Sequence, residues 1–126
     1  AGIERRAGTI YSVLTPNLRG FEGALAARAD EIVIFGAASE AFSQKNINCS
    51  IAESIDRFVP VAQAAKAHGL RIRGSVSCAL GCPYQGEVPV ASVVAAKLTK
   101  VVLLGTTSHT MALVMLALLV FLPTMV

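Results

Sequence analysis

Glu31 opens an unbroken apolar run, Ile32-Val33-Ile34-Phe35-Gly36. A strand with one wet face alternates apolar and polar residues. A run without alternation suits a strand covered on both faces, as in a parallel sheet clad by helices. Parallel neighbours cannot be joined by a tight hairpin. They need crossovers of a dozen or more residues, usually helical. This run therefore predicts βα units on both sides of it.

The flanking chain supplies them. Ile10 leads into Tyr11-Ser-Val-Leu14, a short strand. Thr15-Pro16 then reads as a helix start, with Thr15 as cap and Pro16 in the first turn, where its missing N–H costs nothing. Leu18, Phe21 and Leu25 recur at helical spacing, with Ala24 and Ala29 beside them and Arg28 snorkelling to solvent; the helix should stop near Ala29-Asp30. After the apolar run, residues Ala37 to Asn48 read as a polar loop. Ser50-Ile-Ala-Glu53 is a capping box that opens a helix with the stripe Ile51, Ile55, Phe58, Val59 and Ala62. Pro60 should bend that helix without ending it, and Gly69 should stop it. A strand from Leu70 to Val76 and a loop from Ser77 to Gly86 follow. Pro89 begins a third helical pattern to about Lys100, and Val101 to Leu104 is a fourth strand candidate. Strands beginning near residues 10, 31, 70 and 101, each followed by helix, predict an α/β fold with a parallel sheet.

Length and composition bound the rest. The chain has 126 residues, 54% hydrophobic and 15% charged, which favours one folded domain and excludes disorder over most of its length. The net charge of +3 is scattered, with no basic block interleaved with aromatics, so nucleic acid is not an expected partner. The three cysteines, Cys49, Cys78 and Cys82, form neither an even disulfide framework nor a four-ligand zinc site. They read as buried or loop thiols of a reducing compartment. From Val101 to Val126 the only titratable side chain is His109, and Met111 to Leu122 is wholly apolar. Twelve residues fall short of the roughly 20 a bilayer span requires, so a buried helix is expected there and a membrane is not.

Candidate chemistry gathers after the strands. Ser39, Glu40, Gln44, Lys45, Asn46 and Asn48 follow the second strand; Ser77, Cys78, Cys82 and Tyr84 follow the third. Glu40 reads as a solvated loop residue or a helix cap, and His68 as a residue of a helix end. Arg71 and Arg73 lie two apart and share one strand face. Either they face a ligand inside a closed barrel or they pair with a carboxylate such as Glu31 or Glu53. The residues alone leave both open. No HxH, HExxH, GxGxxG or P-loop pattern is present.

The strings SVLTPN, IFGAASE, KNINCS and VSCALGCPY, spread between Ile10 and Val90, closely resemble the 3-hydroxy-3-methylglutaryl-CoA lyase family of DRE-type TIM-barrel metallolyases. The resemblance implies part of a (β/α)8 barrel, about four βα units over residues 1–100, followed by a divergent apolar tail over 101–126, helical in part. It implies carbon–carbon cleavage of an acyl-CoA to acetyl-CoA and acetoacetate with a divalent cation, magnesium or manganese. It further implies an acyl-CoA partner, a family dimer, and a cytoplasmic site if bacterial or the mitochondrial matrix if eukaryotic, the cytoplasm being preferred. On matching positions, Asn46 of KNINCS and Arg73 of IRG are the substrate-facing residues, and Ser75 stands where the family carries a tyrosine. The family's Arg-Asp pair, its His-x-His metal ligands and its catalytic-cysteine loop find no match here. Cys82 matches an earlier copy of the Gly-Cys-Pro-Tyr string, and Leu104-Gly-Thr-Thr107 only echoes a family Leu-Gly-Asp-Thr. No catalytic residue and no metal ligand is therefore assigned, and the chain alone is expected to be inactive. A non-catalytic half-barrel that binds CoA, or that joins a full-length lyase, is the alternative expectation.

Overall fold

The computed structural model describes residues 2–96. Three strands, β1 (Ser12–Leu14), β2 (Glu31–Ala37) and β3 (Arg71–Ser77), form one parallel sheet in the order β1-β2-β3. Helix α1 (Leu18–Ala26) joins β1 to β2; α2 (Glu40–Ile47) and α3 (Ile51–Ala67) join β2 to β3; α4 (Val90–Ala95) follows the loop after β3. The predicted fourth strand and the apolar run 111–122 lie outside the described residues. Among the described residues, no helix is long and apolar enough to cross a membrane.

The helices cover one face of the sheet. Ile32, Ile34 and Ile72 point into a core with Phe21 and Ala24 of α1 and Phe58, Val61, Ala62 and Ala65 of α3. Phe35 and Phe58 meet edge to face with centroids 5.3 Å apart. The buried stripe of α3 runs Ser54, Phe58, Val61, Ala62, Ala65. It is rotated from the predicted one: Ile51, Ile55 and Val59 flank it, half-buried. Ser54 enters the stripe because its hydroxyl donates to the Ile51 carbonyl at 2.7 Å and so carries no unmet polar group inward.

Two local predictions are corrected. Thr15 does not cap α1. Its N–H donates to the Val33 carbonyl at 2.9 Å, continuing the sheet, and its buried hydroxyl donates to Val13. Asn17 is the cap, accepting from the Gly20 N–H at 2.9 Å, and the helix starts after Pro16. The predicted polar loop after β2 contains α2. Ser39 caps it through the Phe42 N–H at 3.1 Å, and Asn48 closes it in the left-handed conformation at φ 50°. Its one fully buried residue is Ser43. A helix without an apolar stripe is silent to periodicity, and its caps are the only local sign of it.

The capping box of α3 forms as expected. Glu53 accepts the Ser50 N–H at 2.7 Å while Ser50 Oγ accepts the Glu53 N–H at 3.1 Å. The helix passes through Pro60 to Ala67, and Gly69 takes the positive φ of 66° that ends it. The Ser50 backbone and hydroxyl bonds hold the Glu53 carboxyl below its ordinary value of 4.5. A depressed carboxylate stabilises the fold above the unfolded-state value and loses that contribution as pH falls through the folded one. Glu53→Gln should therefore narrow the stability gap between pH 7 and pH 3, with the two proteins converging at the acid end. Urea midpoints at both pH values measure it; an unchanged gap would deny the carboxylate this role.

Candidate functional site

The face of the sheet turned away from the helices carries the charged groups. Register places Glu31 beside Arg71 and Val33 beside Arg73. Glu31, only 3% exposed, sits at the centre. Its carboxylate takes Arg73 at 2.7 Å, Ser12 Oγ at 2.8 Å and Arg71 more loosely at 3.8 Å. The two arginine side chains remain 47% and 60% exposed. Of the two carboxylates the spacing allowed as partners, the structure selects Glu31. Glu53 is engaged at the α3 N-terminus. The pairing does not exhaust Arg73. A guanidinium has five N–H donors, and one carboxylate contact leaves others on the exposed side.

Ser75 lies two residues beyond Arg73 on β3, exposed and on the same face. Asn46 is exposed on α2, a different element, and shares no hydrogen bond with either among those described. The structure thus brings Arg73 and Ser75 together and leaves Asn46 on the helix that follows β2. Glu40 is a cap: its Oε2 accepts the Ile51 N–H at 3.1 Å, joining α2 to the start of α3. His68 caps the C-terminus of α3 and packs its ring 5.7 Å from Phe21.

Spacing did not reveal the cluster where the two strand-end loops meet. Cys82, buried at 7% exposure, accepts a hydrogen bond from Ser39 Oγ at 3.0 Å and another from the Tyr84 N–H at 3.4 Å. Ser39 is also 2.7 Å from the Gln85 carboxamide. Cys82 and Gly86 exchange both backbone hydrogen bonds, at 2.7 and 2.9 Å, and pinch the loop shut. Cys49, Cys78 and Cys82 are all free thiols. Ser39 and Cys82 are 43 positions apart, so no local motif signals their contact.

Among the described residues, no group of three or more His, Cys, Asp or Glu side chains comes together as a metal site. Glu31, the buried carboxylate, has its oxygens committed to Ser12, Arg71 and Arg73. These residues do not fit a divalent-cation centre.

Comparison with known proteins fixes the lineage. The HMGL-like family model matches residues 2–113, past Val90, where the recognisable strings end. The chain is 59% identical over 88 residues to a Pseudomonas aeruginosa 3-hydroxy-3-isohexenylglutaryl-CoA/hydroxy-methylglutaryl-CoA lyase, covering 70% of this chain and 29% of that protein. It is 58% identical over 99 residues to the human mitochondrial hydroxymethylglutaryl-CoA lyase, covering 79% and 30%. The fold superposes on the crystal structure of a Pseudomonas aeruginosa hydroxymethylglutaryl-CoA lyase with a TM-score of 0.75, at 50% identity over 82% of this chain and 34% of that one. It also superposes on an Acinetobacter baumannii HMG-CoA lyase in complex with coenzyme A and 3-methylmalate, with a TM-score of 0.75 at 28% identity, covering 83% and 34%. The chain spans about a third of the length of these relatives, so its parallel sheet and helices correspond to a fragment of their TIM barrel. By family model, identity and fold together, the chain belongs to the HMGL-like family of lyases.

Proposed function

We propose that these residues form the acyl-CoA-facing part of a hydroxymethylglutaryl-CoA lyase barrel, with Arg73, Ser75 and Asn46 on the substrate side. The observation that carries the reading is the state of Arg73. Glu31 anchors its guanidinium at 2.7 Å, yet nearly half of its side chain stays open on the face away from the helices. In a TIM barrel that face is the interior, where strands offer side chains to the ligand. An anchored, half-open guanidinium suits a carboxylate or thioester carbonyl, because its direction is set before the ligand arrives.

The proposed reaction breaks the carbon–carbon bond of a 3-hydroxy-3-methylglutaryl-CoA-type substrate, releasing acetyl-CoA and acetoacetate. In this chain Arg73 would bind and orient the acyl group, and Ser75 would leave space where the family's tyrosine fills it. Such space favours a substrate bulkier at that point; the Pseudomonas aeruginosa relative is named for an isohexenyl as well as a methyl substrate. Cleavage by this chain alone is not expected.

A graft tests the reading. Residues 10–90 replace the matching segment of the Pseudomonas aeruginosa lyase, and acetoacetate release is followed with magnesium. The chimera should retain activity, and Arg73→Ala within it should lower kcat/KM at least about tenfold, the loss of one charged hydrogen bond of roughly 1.5–3 kcal/mol. Full activity in the alanine variant would remove Arg73 from the substrate side. Coenzyme A binding by the isolated chain without cleavage would instead favour the non-catalytic half-barrel.

A further inference from the structure

The tight ion pair on the charged face is not the one that strand register favours. Glu31 stands directly across from Arg71, and Arg73 lies two residues further along β3. Two residues of strand add roughly 6–7 Å of separation along the sheet. Yet Arg73 Nη2 comes to 2.7 Å from Glu31 Oε1, while Arg71 Nη2 stays 3.8 Å from Oε2. A carboxylate free to swing between two guanidiniums leans on the one opposite it. Here it leans on the other.

The neighbouring strand supplies the reason. Ser12 is the β1 partner of Glu31. Its hydroxyl donates at 2.8 Å to Oε1, the same oxygen that meets Arg73. A carboxylate oxygen has two lone-pair sites. On Oε1 one is taken from the β1 side and the other from the β3 side, which fixes the tilt of the whole group. Only Oε2 is left for Arg71. The Glu31 side chain is 4% exposed, so little water reaches it to replace a lost partner.

We infer that Ser12 is a positioning residue: its hydroxyl turns Glu31 toward Arg73 and away from Arg71, and so sets the direction in which the Arg73 guanidinium meets an acyl-CoA ligand. The relay crosses three adjacent strands, from hydroxyl on β1 to carboxylate on β2 to guanidinium on β3. Ser12 itself touches no ligand. Without the hydroxyl, Oε1 is half-satisfied and the carboxylate swings toward Arg71. Arg73 then keeps its charge and loses its fixed direction, and a ligand must order it on binding. The ligand step rests on the proposed substrate side of Arg73; the choice between the two arginines does not.

Two substitutions of matched shape test the relay. Ser12→Thr keeps the hydroxyl, and Ser12→Val puts a methyl in its place; both suit a strand. The first measurement uses the full chain without substrate. Urea midpoints of Arg73→Ala and Arg71→Ala are compared with Ser12 intact, with Ser12→Thr and with Ser12→Val. Arg73→Ala should be the costlier of the two wherever a hydroxyl is present. In Ser12→Val the gap should shrink by about half or more, as the carboxylate redistributes. An undiminished gap would overturn the relay.

The second measurement uses the lyase graft with 3-hydroxy-3-methylglutaryl-CoA. Ser12→Val should raise KM about threefold or more with kcat held within about twofold, and Ser12→Thr should restore KM. Added to Arg73→Ala, Ser12→Val should have no further effect, because its action passes through that arginine. A role in stability alone would lower the folded fraction, and so kcat at an unchanged KM. That outcome, equal behaviour of the valine and threonine variants, or a further loss on top of Arg73→Ala would each overturn the positioning role. Full activity in Arg73→Ala by itself would overturn the substrate side of Arg73 and the ligand step with it, while the midpoints still judge the choice of arginine.

Discussion

Phe58→Ala is expected to cost about 3–5 kcal/mol, the range for truncating a buried phenylalanine. Phe58 is 2% exposed and lies at the centre of the α3 stripe against Ile32 and Ile34, with its ring on Phe35. Alanine removes the apolar transfer term and leaves a cavity that the neighbours must collapse into. It also removes an edge-to-face pair, worth roughly 0.5–1.5 kcal/mol. Folded domains hold only about 5–15 kcal/mol in total, so the variant should be close to unfolding at 37 °C. Phe58→Leu keeps most of the volume and should lose about half as much or less. Urea denaturation followed by circular dichroism distinguishes these outcomes. A loss in Phe58→Ala of less than about 1 kcal/mol would mean that α3 does not hold the sheet through this residue.

Glu31→Ala should cost about 2–3 kcal/mol, and for a different reason. Removing one member of a buried ion pair strands its partners, at about 3–5 kcal/mol when both are buried. Here both arginines reach water, so part of that penalty is relieved by solvation. The Ser12 hydroxyl keeps its own access to solvent, and its loss adds little. Partner truncations should be unequal. Arg73→Ala leaves the buried carboxylate without its 2.7 Å contact, whereas Arg71→Ala removes a 3.8 Å contact from a more exposed side chain. The first should exceed the second by about 1 kcal/mol or more. Equal effects in a double-mutant cycle would show that the carboxylate does not discriminate between the two arginines. In the grafted lyase the same pair separates structure from function. Glu31→Gln should impair acyl-CoA use by loosening Arg73, and Arg73→Lys should fail to restore it, because an ammonium cannot reproduce the planar fork.

Much of the fold was legible because it is written in local pattern. The Ser50–Glu53 box and Gly69 each constrain only their own neighbourhood, and each behaves as its pattern requires; the unbroken run at Ile32–Gly36 forms the expected parallel strand, but among the described residues helices cover only one of its faces. The errors also have local causes. Thr15 and Asn17 are both good caps two residues apart, and the choice between them rests on Val33, which takes the Thr15 N–H into the sheet. Helix α2 was missed because it has no apolar stripe to show. The buried stripe of α3 was misread because Ser54, polar by type, hides its hydroxyl on its own helix.

The candidate site divides along the same line. From sequence alone came the shared face of Arg71 and Arg73, and the strings that tie the chain to its family. Pairing was decided only by the fold. Parallel register set Arg71 and Arg73 around Glu31, which lies some forty positions earlier, and committed Glu53 to a helix end. Register also carried the β3 loop back to Ser39, so that a helix-capping hydroxyl became a donor to Cys82. Periodicity and caps are statements about the chain over a few residues. A salt bridge or a thiol cluster depends on which strands lie side by side, and that is settled only when the apolar faces have found each other.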